Sequence, residues 1–274
     1  MVGSPIRHSL SPVLHHAAYH ALGLNWRYEA VEVAEQGLRG FLDGLDESWR
    51  GLSMTMPLKR AVVPLLDSLS DRAEQSLAAN TVVLDGRWRV GHNTDIPGAS
   101  AAVRERYDGP VDRAVVVGGG ATAASTLLGL ADLGCRSVTL VVRDASRATE
   151  TIATAARHPG EPRVEVLRLG EPVPDADIVV STVPADAQGL EVLACAERAG
   201  VVFDVVYEPW PTPLARFARE TGRVLVAGLD LLVHQAVLQV ELMTGVPEGP
   251  LDAMRAAGEQ ALEQRGVESP GGQP

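Results

Sequence analysis

The sequence predicts an α/β protein in two parts: an N-terminal α/β domain, then a doubly wound nucleotide-binding domain, with a C-terminal helix packing back on the first part. Three observations carry this. From Asp112 onward, short β-branched runs alternate with amphipathic stretches, as in a parallel sheet covered on both faces. A glycine-rich turn follows the first of these runs and opens a helical stretch. The first 95 residues instead show one hairpin signal among shorter elements. With 274 residues, 46% of them hydrophobic, the chain has the length and the apolar content for two cores.

In the first part, helices are expected near Ser11 to Leu22 and Gln36 to Leu45, and strands near Tyr28 to Val33 and Leu52 to Met54. Ser11 suits an N-cap and Pro12 a first helical position. Asp85-Gly86 joins Thr81-Val82-Val83-Leu84 to Trp88-Arg89-Val90-Gly91 as a hairpin. In the second part the expected strands are Ala114 to Val117, Ser137 to Val142, Val164 to Leu167, Asp177 to Ser181, Val201 to Asp204 and Arg223 to Val226. Helices are expected over Thr122 to Leu133 and Ser146 to Ala156. A final helix, Leu229 to Met243, follows the last strand with no linker. The expected organisation is residues 1–95 with 229–264 as the substrate domain, 96–228 as the nucleotide domain, and 265–274 as a Gly/Pro/Ser-rich disordered tail.

Several function classes are disfavoured. No apolar run approaches the roughly 20 residues of a membrane span, and no charged-then-apolar leader opens the chain, so a soluble cytoplasmic protein is expected. A net charge of −11, with both signs scattered, argues against a nucleic-acid surface. Cys135 and Cys195 have neither C-x-x-C spacing nor a disulfide context. His8, His15, His16, His20, His92, His158 and His234 do not converge as metal ligands, and most read as surface or outlying residues, so no metal is expected.

Of the 24 basic residues only Lys59 is a lysine. Arginine stays protonated at any working pH, whereas burial and neighbours can tune a lysine to exchange a proton. A chain with arginine everywhere else marks Lys59 as a candidate acid–base group.

Gly118-Gly119-Gly120-Ala121-Thr122-Ala123 fits G-x-G-x-x-G/A between a strand and a helix. Glycines there permit a tight turn and close backbone approach, and the helix N-terminus offers N–H groups to a pyrophosphate. This makes the second part a Rossmann-type domain. The second strand ends in Val142-Arg143-Asp144, followed by Arg147. Arg143, with Arg147 behind it, can pair with a 2′-phosphate, which points to NADP(H). Asp144 either caps the next helix or takes the 2′-hydroxyl of NAD.

At the chain start, Ser9 is left unexplained by capping, and Ser9 with Ser11 beside free helix N–H groups would suit a small carboxylate. Gly3-Ser4-Pro5-Ile6-Arg7-His8-Ser9-Leu10-Ser11-Pro12, Ser53-Met54-Thr55-Met56-Pro57-Leu58-Lys59, Ala79-Asn80-Thr81, Gly91-His92-Asn93-Thr94-Asp95 and the glycine loop recur in one known order. With Asp204-Val205-Val206-Tyr207-Glu208-Pro209 and Gly228-Leu229-Asp230-Leu231-Leu232-Val233-His234-Gln235-Ala236, the chain resembles the shikimate dehydrogenase family over nearly its whole length.

The resemblance implies NADPH-dependent reduction of 3-dehydroshikimate to shikimate. It implies Lys59 and Asp95 as the catalytic pair, Ser9, Ser11, Thr55 and Tyr207 as carboxylate-side contacts, Asn80 and Gln235 as ring-hydroxyl contacts, and Gly228 on the cofactor side. The departures are Ser53 where asparagine is common, Ala121 where glycine is common, Val142-Arg143-Asp144 where Asn-Arg-Thr is common, and a first strand almost missing before Gly3, from a start site set too late or a shortened strand. Alternatives are a quinate or aminoshikimate dehydrogenase, or a non-catalytic metabolite or nucleotide sensor. A small-molecule partner and a monomer or homodimer are expected.

Overall fold

The computed structural model of the chain describes residues 1–6 and 9–266. Arg7, His8 and nearly all of the expected disordered tail lie outside the described residues. The chain divides into two compact units, Met1–Thr94 with Gln235–Gly258, and Asp95–His234 with the residues from Glu259 onward.

The first unit begins with β1 (Val2–Gly3), α1 (Ser11–Ala21), β2 (Val31–Glu32), α2 (Leu38–Asp43) and β3 (Gly51–Ser53). It continues through α3 (Leu58–Ala61), β4 (Ser68–Leu69), α4 (Asp71–Ser76), β5 (Thr81–Asp85) and β6 (Trp88–His92). Strands β1 and β2 pair in parallel, and β3-β5-β6-β4 form a mixed sheet. The hairpin turn is Gly86-Arg87, because Asp85 still pairs with Trp88; Gly86 takes φ +60°, a conformation glycine adopts without Cβ strain. A core of Leu38, Leu42, Leu52, Met54, Leu58 and Val82 lies under this sheet. The strand expected over Tyr28 to Val33 shrinks to Val31–Glu32, since only those two residues find a partner strand.

The second unit opens with α5 (Asp95–Arg106), then β7 (Arg113–Val117), α6 (Ala121–Asp132), β8 (Ser137–Val142), α7 (Thr149–Ala155) and β9 (Arg163–Arg168). After these come β10 (Ala176–Ser181), α8 (Leu190–Ala196), β11 (Ala199–Asp204), α9 (Pro213–Glu220) and β12 (Val224–Val226). All strand pairs are parallel, in the order β12-β11-β10-β7-β8-β9. Strand β7 is therefore central, and the order reverses between β7 and β10, where doubly wound sheets bind ligands. Val115, Val117 and Val141 enter one core while Val116, Leu140 and Val180 enter the other, so both faces are covered.

Helix α10 (Gly228–Thr244) gives its first turns to the second unit and joins the first from Gln235; α11 (Leu251–Gln264) follows. No described helix is long and apolar enough to cross a membrane.

Candidate active site

In the first unit, Lys59 sits half-buried on α3, where its carbonyl accepts from Ala79 N–H at 2.7 Å and ties α3 to the segment carrying Asn80. Thr55 donates its N–H to Val2 O at 2.9 Å. A Cβ on Gly3 would lie 2.2 Å from Thr55 Cγ2, so only glycine lets the two segments approach this closely.

The entry to α1 differs from expectation. Ser11 is the first helical residue, not the N-cap, and the cap position is Leu10. Ser9 supplies the cap-like bond, its Oγ accepting from Ser11 N–H at 3.1 Å. Ser11 is buried, and its carbonyl faces His15 Nδ1 at 2.9 Å. His15 is fully buried rather than on the surface, and burial pushes its pKa down to about 3, so the ring is neutral. Because a carbonyl only accepts, Nδ1 carries the proton.

Asn80 is at the centre of a buried polar cluster. Its Oδ1 accepts from Thr94 N–H at 2.8 Å and Thr81 O–H at 2.9 Å; its Nδ2 donates to Thr94 Oγ1 at 2.9 Å and Gln235 Oε1 at 3.2 Å. Thr94 O–H donates to the Gln235 carbonyl at 3.0 Å. One turn further along α10, Gln239 Oε1 accepts from Ser53 O–H at 2.6 Å, and Ser53 Oγ accepts from Tyr28 O–H at 2.7 Å. Buried amides require partners, and these have them.

In the second unit, Asp95 is the first residue of α5 and is buried. The glycine loop links the end of β7 to the start of α6. Gly118 takes φ +117°, and a Cβ there would lie 2.1 Å from Thr182 Oγ1. Gly119 passes close to Arg147 O, while a Cβ on Gly120 would meet nothing within 4 Å. Gly120 is the N-cap of α6 and no side chain bonds the helix start. Ala121 and Thr122 are half-buried and Ala123 is fully buried, so the first turn of α6 presents uncapped N–H groups beside open space. That fits a pyrophosphate.

Arg143 and Arg147 are exposed beyond the end of β8. Asp144 Oδ1 accepts from Ser146 N–H at 2.9 Å, which makes it the cap of the short helix Ala145–Ala148. The Ser146 bonds hold its carboxyl below the usual range, and Arg147 and Arg168 add to this.

Tyr207 is half-buried on the loop after β11. Asp204, fully buried, fixes the start of that loop: it accepts from Gln188 Nε2 at 2.9 Å, Thr212 O–H at 2.5 Å and Val206 N–H at 3.2 Å. Burial nevertheless pushes its pKa up to about 6. Gly228 is buried against Val205 and Val206, where a Cβ would lie 2.5 Å from Val205 O. Cys135 and Cys195 are free and buried. The described residues contain no cluster of His, Cys, Asp or Glu able to hold a metal.

Sequence reasoning did not assign roles to Gln239, Tyr28 or Thr182. The signal for Gln239 was legible: a second amide one turn after Gln235, on the same face of an apolar helix.

A family model described as the shikimate dehydrogenase substrate binding domain matches residues 1–82, and one described as the shikimate 5′-dehydrogenase C-terminal domain matches residues 228–257. A shikimate dehydrogenase (NADP(+)) of Symbiobacterium thermophilum is 34% identical over 96% of this chain and 94% of that protein. The crystal structure of a shikimate 5-dehydrogenase from Mycobacterium fortuitum superposes with a TM-score of 0.82 at 40% identity, covering 93% of this chain and 95% of that one. A quinate dehydrogenase from Corynebacterium glutamicum, solved in complex with NAD, superposes with a TM-score of 0.85 at 29% identity, over 93% and 96% of the two chains.

Proposed function

The chain belongs to the shikimate dehydrogenase family, and from that premise we propose that it reversibly reduces 3-dehydroshikimate to shikimate with NADP(H). The observation that carries the reading is the pairing of a glycine loop and uncapped helix start after the central strand with the ordered Lys59, Asn80, Asp95 and Gln235 motifs. NADPH, when bound, supplies a hydride to the ketone carbon. Gly118, Gly119, Gly120, Ala121, Thr122 and Ala123 would hold its pyrophosphate, Arg143 and Arg147 its 2′-phosphate, and Gly228 would line the cofactor side.

Lys59 and Asp95 are assigned as the catalytic pair. The reduced ketone oxygen gains negative charge; the Lys59 ammonium stabilises that charge and donates the proton. Asp95 orients the lysine and accepts a substrate hydroxyl. Ser9, Ser11, Thr55 and Tyr207 take the carboxylate, and Asn80 and Gln235 the ring hydroxyls. Residues 1–95 with 229–264 form the substrate domain in this assignment, and 96–228 the cofactor domain. The protein works in the cytoplasm as a monomer or homodimer, on a small molecule rather than a nucleic acid or membrane.

A second reading is quinate as the preferred substrate, favoured by the likeness to the quinate dehydrogenase. Steady-state kinetics with shikimate and quinate, each with NADP and NAD, test both. The highest kcat/KM with shikimate and NADP supports the first reading, and the highest with quinate the second.

A further inference from the structure

A buried chain of hydrogen bonds runs through the first unit from Tyr28, packed on α1, to Asn80, and the partners fix its direction. Gln239 Nε2 lies 3.3 Å from the Asn80 carbonyl, which can only accept, so the Gln239 amide nitrogen faces that carbonyl and its Oε1 faces Ser53. Ser53 must then donate to Gln239, and its single hydrogen is used. Tyr28 must in turn donate to Ser53. The Tyr28 ring stacks on the neutral His15 ring at 4.0 Å and 18°, and His15 Nδ1–H donates to the Ser11 carbonyl at 2.9 Å. Tyr28, Ser53, Asn80 and Gln239 are all buried, so no water competes for these bonds.

The amides at the far end are fixed in the same way. The Thr94 N–H can only donate, so it identifies Asn80 Oδ1; Asn80 Nδ2 therefore faces Gln235 Oε1, and the Gln235 amide nitrogen is turned away from Asn80. The chain thus joins Tyr28 to Asn80 and Gln235, proposed for the ring hydroxyls, and the His15 ring packed on Tyr28 carries it on to Ser11, proposed for the carboxylate.

We infer that Tyr28, Ser53 and Gln239 are positioning residues for the substrate, a relay that sets the carboxylate-side serine and the ring-side amides at a fixed separation and orientation. The inference rests on the proposed shikimate reading. Its physical basis is that aligned hydrogen bonds in a low-dielectric interior reinforce one another, so loss of one link loosens the rest. The relay lies within the first unit and includes neither Lys59 nor Asp95, so it should act on substrate affinity rather than on the chemical step.

The test is steady-state kinetics of Tyr28→Phe, Gln239→Met and the double variant, with thermal unfolding of each. Each single variant is expected to raise the KM for shikimate roughly 5- to 30-fold, with kcat changed less than about threefold and the KM for NADP unchanged. Because both changes cut one relay, the double variant should be no worse than about the worse single one. Ser53→Thr, which keeps the hydroxyl, should retain a nearly parental KM that Ser53→Ala loses. An unchanged shikimate KM in Tyr28→Phe, multiplicative effects in the double variant, or equal KM values for Ser53→Thr and Ser53→Ala would overturn the relay. A parent protein inactive on shikimate would instead overturn the reading beneath it, and the relay with it.

Discussion

Asn80 and Gln235, 155 positions apart in the chain, share a buried hydrogen bond of 3.2 Å from Asn80 Nδ2 to Gln235 Oε1. The bond joins the loop before β5 to a helix that begins after the last strand of the other unit, and it orients both amides.

Removing one side of this bond should be visible in substrate affinity. Gln235→Ala is expected to raise the KM for shikimate by about tenfold, the value of one hydrogen bond of roughly 1.4 kcal/mol. A modest fall in melting temperature should accompany it, since a buried Asn80 N–H loses its partner. An unchanged KM would leave Gln235 only a packing role.

Lys59→Ala and Asp95→Ala are each expected to reduce kcat by roughly 10² to 10⁴ while the fold persists. Lys59→Arg keeps the charge but removes the titratable amine, and should fail to a similar extent. Circular dichroism with single-turnover rates checks this; near-normal kcat in a folded Lys59→Ala protein would remove Lys59 from the mechanism.

Arg143→Ala should weaken NADP binding by roughly 10- to 100-fold, the value of a charge-assisted hydrogen bond, and leave NAD nearly untouched. Asp144 is committed to capping through Ser146 N–H, so Asp144→Thr should change the NADP to NAD preference less than Arg143→Ala does. KM values for both cofactors decide the matter, and a parent that prefers NAD would refute the assignment.

Asp204 predicts a pH dependence of stability. Its folded pKa of about 6 lies above the unfolded value near 3.9, so between these values the folded state holds more proton than the unfolded state. Its contribution to stability is present below about pH 4 and is lost as pH rises through 6, by about 3 kcal/mol in all. Asp204→Asn cannot titrate, and its amide would face the donor Gln188 Nε2, so it should be less stable than the parent at pH 4.5. That gap should narrow by pH 7. Urea unfolding of both proteins across this range checks the sign, and a gap that widens with pH would contradict it.

Much of the fold was legible because its signals are local. Apolar runs such as Ser137–Val142 coincide with the strand observed, since a strand buried on both faces must be apolar throughout. The glycine loop was legible because Gly118 needs a positive φ that other residues resist. Where a signal depended on neighbours it misled. Ser11 reads as a cap by type, yet the hydroxyl that bonds the helix start is that of Ser9, and the strand around Tyr28 lacks a partner except at Val31–Glu32.

The sequence by itself determined the family, the two-unit α/β plan, the glycine loop, and which residue types were candidates for chemistry, because each is written in short motifs with their own backbone or chemical demands. Only the tertiary structure decided that Tyr28, Ser53, Gln239 and Asn80 form one directed chain, that His15 is buried and neutral, and that Asp144 is a cap. The reason is physical. A hydrogen bond's partner and direction, and a group's exposure to water, are set by residues far away in sequence that folding brings within about 3 Å.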